Sequence, residues 1–485
     1  MTAATQPTTR FPNRTARGFI GGFSGPRVVC LGGAAVIPAM ASFRYGGLGL
    51  LVSLATVTPV LLVLGLVKKE GYYLADLAPI LLNWKARAMT QQREFTRTPF
   101  EEGPAGALLL PGEAGSLRWV TLPSGAVGVH DPHAGTLTGA LACRSRNFQL
   151  LAAGQQMARV SGWNAVIASL PGRAPGAWMQ VIETTEPDTS RGVETWWRDH
   201  GAPDDDHSWP ATQYRDLLAT RARGGVGHRQ LVAFTIHLGQ GPRLAISKRA
   251  ARKGLAGAVE RLDALLAAQA TDLVRAGVRE AVPLTPGGLA AEIESAYKPG
   301  RLGRSDLVPG LDVAGPMAIT EHRTHVYLDG GAAAVLWIKD WPRSEVGPSF
   351  LHSLIFESGV HKSLCLFIHP KDTATAVTEL TRERNEITTE KRQAAKADRA
   401  RSPFEEIEEE EVLARSAALT RGYMDAKYTG FITVTAPDVD ALDKAVTAIE
   451  SAAAAAQLQT EPMTRQHLAS LTAARLPLGR KMHSR

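Results

Sequence analysis

Few residues in this sequence have types and spacings that bear on chemistry. Asp204, Asp205, Asp206 and His207 are metal-ligand types in a row. They lack the alternation of ligand and spacer, and the turning glycine, that wrap a calcium loop around its ion. A solvated turn is expected there. His322 and His325 set two imidazoles three residues apart, without the further ligands that would close a zinc site. Cys30, Cys143 and Cys365 are far apart and odd in number, so neither a disulfide framework nor a zinc site follows. They read as small buried hydrophobes in reducing surroundings. Gly224-Gly225-Val226-Gly227 and Gly239-Gln240-Gly241 resemble fragments of phosphate loops, but the first has the wrong spacing beside a strand and the second runs into Pro242. Both read as turns. No Gly-x-x-x-x-Gly-Lys-Ser/Thr, Gly-x-Ser-x-Gly, His-Glu-x-x-His or Cys-x-x-Cys occurs. The expectation is a protein that is not an enzyme, with no catalytic, cofactor-binding or metal-binding residues.

The elements that carry these residues begin with the charge distribution. The chain has 485 residues, 44% of them apolar and 21% charged, which excludes wholesale disorder and a transporter made mainly of membrane helices. Lys and Arg number 54 against 47 Asp and Glu, and no acidic residue precedes Glu70. Seven cations lie before that point, Arg10, Arg14, Arg17, Arg27, Arg44, Lys68 and Lys69, so the rest of the chain is balanced. The excess sits with the longest apolar runs, a pattern of membrane contact, and direct nucleic-acid binding is not expected.

Those runs, within residues 28–67, are Val28 to Phe43 and Gly46 to Val67, separated by Arg44 and Tyr45. Joined so tightly, they must lie antiparallel as a helical hairpin, since backbone in lipid has to satisfy its hydrogen bonds within helices. A pair of buried core helices is the alternative. Arg27, Lys68 and Lys69 flank the open end and Arg44 the tip, which places both termini in the cytoplasm and makes the protein a two-pass component of the cytoplasmic membrane. The late start and the second span argue against a cleaved signal peptide. Residues 1–27 form a basic cytoplasmic lead. Residues 68–99 carry a helical repeat of apolar positions beside Tyr72, Tyr73 and Trp84. This helix either lies along the headgroups or packs on the soluble part.

Residues 100–115 are rich in Gly and Pro and read as a linker. A β-rich subdomain is expected over 116–210, with strands at 117–122, 126–129, 137–143 and 179–184 and a helix over 150–168. An α+β body follows over 211–485. Its expected strands are 229–238, 334–339, 362–369 and 428–436, and its expected helices cover 248–277, 349–357 and 438–457. The recurrence of strand then helix suggests two related halves. Residues 373–421 alternate Arg and Glu, and Ser402-Pro403-Phe404-Glu405 has the elements of a capping box, so an antiparallel helical pair is expected there. Its charges read as a solvated face or a docking surface.

On these residues the sequence resembles a known family. Residues 415–480, including GYMDAKYTGFITVTAPDVDALDKAVTAIESAA and RQHLASLTAARLPLGR, resemble the amino-terminal domain of the VirB-type, TraC-like conjugation ATPases. HDPHAGTLTGALACRS, VAFTIHL and LWIKDWPRSEVGPSFLHSLI agree less sharply, and the basic hairpin is similar to PrgI-type membrane subunits. The combination looks like the membrane proteins of actinobacterial conjugative elements. Where that family continues into its motor, this sequence stops at Arg485. The resemblance implies a non-catalytic inner-membrane scaffold of a type IV secretion-like apparatus. Its implied partners are the lipid bilayer, a separate conjugation-type motor ATPase and other secretion-channel subunits, with homo-oligomerisation left open. A type VII secretion membrane component and a membrane-bound enzyme are the alternatives.

Overall fold

In the computed structural model, the described residues are 24–69, 72–97, 104–145, 148–187, 197–201, 203, 205–221, 226–239, 254–299, 310–342, 344–357, 359–396, 403–422 and 424–480. The basic lead up to residue 23, the capping serine Ser402, Asp204 and most of the two glycine-rich turns lie outside them. The described residues divide into two units, residues 24–93 and residues 94–480.

In the smaller unit, α1 (Gly25–Ala55) and α2 (Val57–Leu66) form one apolar helical segment. Of the described residues, only this stretch is long and apolar enough to cross a membrane, and its most apolar window is just 11% buried. The expected break at Arg44–Tyr45 is displaced to Gly46, whose φ of 64° is a conformation that only glycine adopts without cost. The start of α1 lies against the end of α2. Arg27 Nε donates to the Gly65 carbonyl at 3.2 Å, and Gly65 backs onto Leu31 so closely that a Cβ there would clash. A two-residue ladder, β1 (Lys68–Lys69) with β2 (Tyr72–Tyr73), leads into α3 (Leu74–Met89).

Among the described residues the larger unit is α+β, built on one antiparallel sheet of thirteen strands. After β3 (Glu94–Thr96), its first half runs β4 (Arg118–Thr121), β5 (Val127–Asp131), β6 (Thr136–Ser145), α4 (Ala153–Arg173) and β7 (Trp178–Pro187). It continues through α5 (Trp209–Arg221), β8 (Val226–His237), α6 (Gly254–Arg275), β9 (Val278–Pro283) and α7 (Pro286–Tyr297). The second half opens with β10 (Ala318–Glu321), β11 (Val326–Leu328), β12 (Gly331–Asp340), α8 (His352–Ile355) and β13 (His361–Pro370). It closes with the pair α9 (Thr373–Lys396) and α10 (Pro403–Thr420), then β14 (Ala426–Ala436), α11 (Val439–Ala455), β15 (Gln459–Pro462) and α12 (His467–Arg475). Among the described residues, the named elements of each half run three strands, helix, strand, helical insertion, strand, helix, strand, helix.

The sheet order is the same on both sides of its centre, reading β7-β8-β6-β5-β4 one way and β13-β14-β12-β11-β10 the other, with β9 added to β6 and β15 to β12. The halves meet where β7 pairs with β13, Cys365 opposite Ile182. The expectation of two related halves is met element by element. The central strands carry apolar side chains on both sides where helices cover them. Met179, Val232 and Phe234 pack under α4 and α6, and Ile432 and Val434 under α11. On the opposite face Trp178, Ala233 and Phe431 pack under α7 and α12.

Two expected boundaries give way. Residues 104–116 do not behave as a linker. Leu108 and Leu110 are buried, Ala107 bridges Arg118, and a 3-10 turn over Gly112–Ser116 seats Ala114 in the same core. A cut at residue 210 would divide the sheet, because β8 inserts between β6 and β7. The helical pair forms as expected, around a thin core of Leu380, Ile387 and Val412. Lys371 and Arg415 root it on Asp425, both at 3.0 Å.

Candidate functional site

The flanking cations of the apolar segment divide into two places. Arg27 and Lys68 come together over one ring, the Arg27 guanidinium 3.3 Å and the Lys68 ammonium 4.8 Å from the centroid of Tyr73. The backbone of Lys69 pairs with Tyr72 beside them. Arg44 is exposed, two residues before the break at Gly46. A cation on an aromatic face gains electrostatic attraction, and Tyr and Arg together are the residues that settle at a boundary between apolar and polar surroundings.

A second candidate is a groove of about 670 Å³ on the sheet face that carries α4 and α6. Its floor comes from three neighbouring strands: Cys143 and Ser145 on β6, His228 and Gln230 on β8, and Val181 and Glu183 on β7. Alternation along each strand puts these side chains on one face. Trp163 of α4 and Phe356 beyond α8 also line it.

On this floor His228 Nδ1 lies 2.7 Å from Glu183 Oε1. The Thr185 hydroxyl donates to the same carboxylate at 3.2 Å and 3.3 Å. The Phe356 ring meets the His228 ring edge to face at 5.2 Å. Next to them Lys362 is buried and donates to the Glu357 carbonyl at 2.6 Å. Burial pushes the Lys362 ammonium below the ordinary lysine range, against the pull of Glu183 and Glu357. A carboxylate that orients an imidazole is the arrangement of general acid–base catalysis. The candidate nucleophiles beside it are muted. Burial pushes the Cys143 thiol up to about 12, and the Ser145 hydroxyl donates to Gln230 Oε1 at 2.9 Å.

No sequence signal announced this groove, because Glu183 and His228 are 45 residues apart and meet only through strand pairing. The residues singled out by type behave otherwise. His322 and His325 stack at 5.0 Å with Tyr327 edge-on, and burial, helped by His322, lowers the His325 pKa. Asp206 accepts the Ser208 amide at 2.8 Å in a local turn. No group of three or more His, Cys, Asp or Glu placed to hold a metal occurs among the described residues.

On the far face of the sheet lies a charged network, buried at Arg475 and Glu292 and open to solvent at Arg229. Arg475 donates to Glu292 at 3.2 Å and to Glu186 at 3.1 Å, and Arg229 pairs with the same two carboxylates at 3.0 Å and 2.5 Å. The Ser295 hydroxyl donates to Glu186 at 2.6 Å. Two arginines and two carboxylates cancel, which allows their burial. The network ties β7 and β8 to α7 and α12. Comparison with protein-family models and with curated proteins finds no match to this chain.

Proposed function

We propose that this protein is a membrane-anchored, non-catalytic platform of a type IV secretion-like or conjugative transfer apparatus, docking a separate motor ATPase. The observation that carries the reading is the contrast between two surfaces. The apolar segment Gly25–Leu66 leaves Val29, Phe43, Leu48 and Leu51 more than two-thirds exposed, whereas the sheet of the larger unit is covered on both faces. Apolar side chains held out over so long a helical segment fit lipid as their surroundings.

In this reading the segment crosses the bilayer twice, as a hairpin turning at Gly46. Three facts support the fold-back: the left-handed backbone at Gly46, the packing of Leu31 on Gly65, and Arg27 and Lys68 meeting at Tyr73 while Arg44 lies near the turn. Arg27, Lys68 and Lys69 at the open end against Arg44 at the tip favour both termini in the cytoplasm. Tethering raises the effective concentration of whatever docks on the body. The charged pair α9–α10, with its own ion pairs between Lys391 and Glu409 and between Arg415 and Glu383, is the surface this reading offers to a partner.

Purification of the full-length protein from native membranes tests it. The expected result is co-purification of a conjugation-type motor ATPase. Recovery of the ring-forming subunits of a type VII system, or of a water-soluble protein, overturns it. The groove around Glu183 and His228 favours a second reading, a membrane-bound enzyme using acid–base chemistry. Stoichiometric nucleotide or another small ligand in the purified protein, released by His228→Gln, would establish that reading instead.

A further inference from the structure

The first turn of α3 is buried through Ala75 and Leu77, but beyond it the helix turns an apolar stripe outward. Pro79, Leu82, Ala86 and Met89, spaced by three, four and three residues, are all exposed, with Leu82 at 69% and Met89 at 87%. That spacing places them along one side of a helix. Cations flank the stripe. From Leu77 to Arg93 the sequence has Lys85, Arg87 and Arg93 and no acidic residue. The guanidinium of Arg93 lies 4.6 Å and that of Arg87 5.6 Å from the ring of Trp84.

The starting level of this helix is also fixed. Arg27 and Lys68 close the apolar segment over Tyr73, and α3 begins at the next residue, Leu74. A helix leaving such a charged, aromatic layer either dives into water or runs along the layer. In water the Leu82 and Met89 side chains would have no partner. Along the layer they reach the acyl boundary, while Trp84, Lys85, Arg87 and Arg93 stay among the headgroups.

We propose that α3 lies in the plane of the membrane interface and that Lys85, Arg87 and Arg93 take the phosphates of anionic phospholipids. The proposal rests on the reading of Gly25–Leu66 as a membrane anchor, and adds to it a preference for one lipid class. The partner is a lipid surface and not a free phosphate, because the exposed apolar stripe is continuous with the cations and a soluble anion would make no use of it.

The test uses full-length protein in nanodiscs of phosphatidylcholine, with or without phosphatidylglycerol. Spin labels are placed singly at Leu82→Cys, Met89→Cys and, a quarter-turn away, Asn83→Cys. Labels at 82 and 89 should be relaxed more by lipid-soluble oxygen than by a water-soluble nickel chelate, and the label at 83 less so. In a competition between the two lipids the wild type should prefer phosphatidylglycerol by fivefold or more, since each basic residue near an anionic surface contributes about a factor of five. The triple variant Lys85→Ala/Arg87→Ala/Arg93→Ala should lose that preference.

Labels at 82 and 89 as open to nickel as the label at 83, or an unchanged preference in the triple variant, overturns the proposal. So does loss of the preference on adding inorganic phosphate at matched ionic strength, which would assign the site to a soluble anion. If these fail while the protein still resists carbonate extraction, only the α3 proposal falls. Release by carbonate brings down the anchor reading itself.

Discussion

Replacing Arg475 with methionine keeps most of the side-chain volume and removes the buried cation of the network. Arg475 is 3% exposed, and its guanidinium serves Glu292, Glu186 and the Ser295 hydroxyl at once. Arg229, itself 37% exposed, would then face two carboxylates alone, leaving one negative charge uncompensated beside buried Glu292. Breaking a buried pair in this way costs about 3–5 kcal/mol. For a unit of roughly 390 residues, unfolding at about 2 cal/mol/K per residue, that lowers the melting temperature by about 5 °C.

The pH dependence carries the diagnostic sign. Burial alone would raise the Glu186 pKa, but Arg229, Arg475 and the Ser295 hydroxyl outweigh it and hold the carboxyl below its ordinary range. A depressed carboxylate contributes stability above its unfolded pKa and loses it as the pH falls through the folded value. Arg475→Met should therefore melt lower at pH 7 and show a shallower decline on acidification than the wild type. Scanning calorimetry of the full-length protein from pH 3 to pH 8 reads both. A melting temperature within 1 °C of wild type at pH 7, with a parallel acid limb, would refute the reasoning.

Three further outcomes follow from the same structure. Burial, aided by the neighbouring Arg475, lowers the His361 pKa to about 4, so the folded protein holds it neutral while the unfolded chain protonates it near 6.5. Stability should fall by about 3 kcal/mol from pH 6.5 to pH 4 on this account, and His361→Gln should flatten that window in denaturant titrations. Gly479 has a φ of +65° and passes directly over the Thr138 and Thr235 hydroxyls. Gly479→Ala should destabilise the larger unit by about 1–3 kcal/mol, through strain and overpacking, in the same titrations. Asp425→Ala removes the shared partner of Lys371 and Arg415, and hydrogen exchange should accelerate in α9 and α10 while the central strands stay protected.

The parts of this fold legible in the sequence are those whose pattern matches their burial. β8, β12, β13 and β14 are runs of branched and aromatic residues because both faces are covered, and such runs announce strands. β9 and β15 were missed because VREAVP and QTEP are short, polar and added at the ends of β6 and β12. α12 escaped for the opposite reason. All but Ala469 of it is buried, with His467, Ser470 and Arg475 among the buried residues, so it shows no polar face to mark a helix. The apolar trio Leu108 to Leu110 was the available signal that residues 104–116 belong to the core, but the flanking glycines and prolines outweighed it. The charged network and the Glu183–His228 pair are products of topology. Glu292 and Arg475 are 183 residues apart, and no local pattern pairs them.

Topology labelling of the proposed anchor probes the central claim most directly. Burial pushes the thiols of Cys143 and Cys365 up to about 12, so both can remain while Cys30 is replaced. Single cysteines at Arg44 and at Gln91 are then exposed to a membrane-impermeant maleimide on intact cells and on permeabilised ones. A two-pass anchor with both termini inside gives labelling at 44 in intact cells and at 91 only after permeabilisation. Equal labelling at both positions in intact cells, or protection of position 44 until permeabilisation, would contradict it.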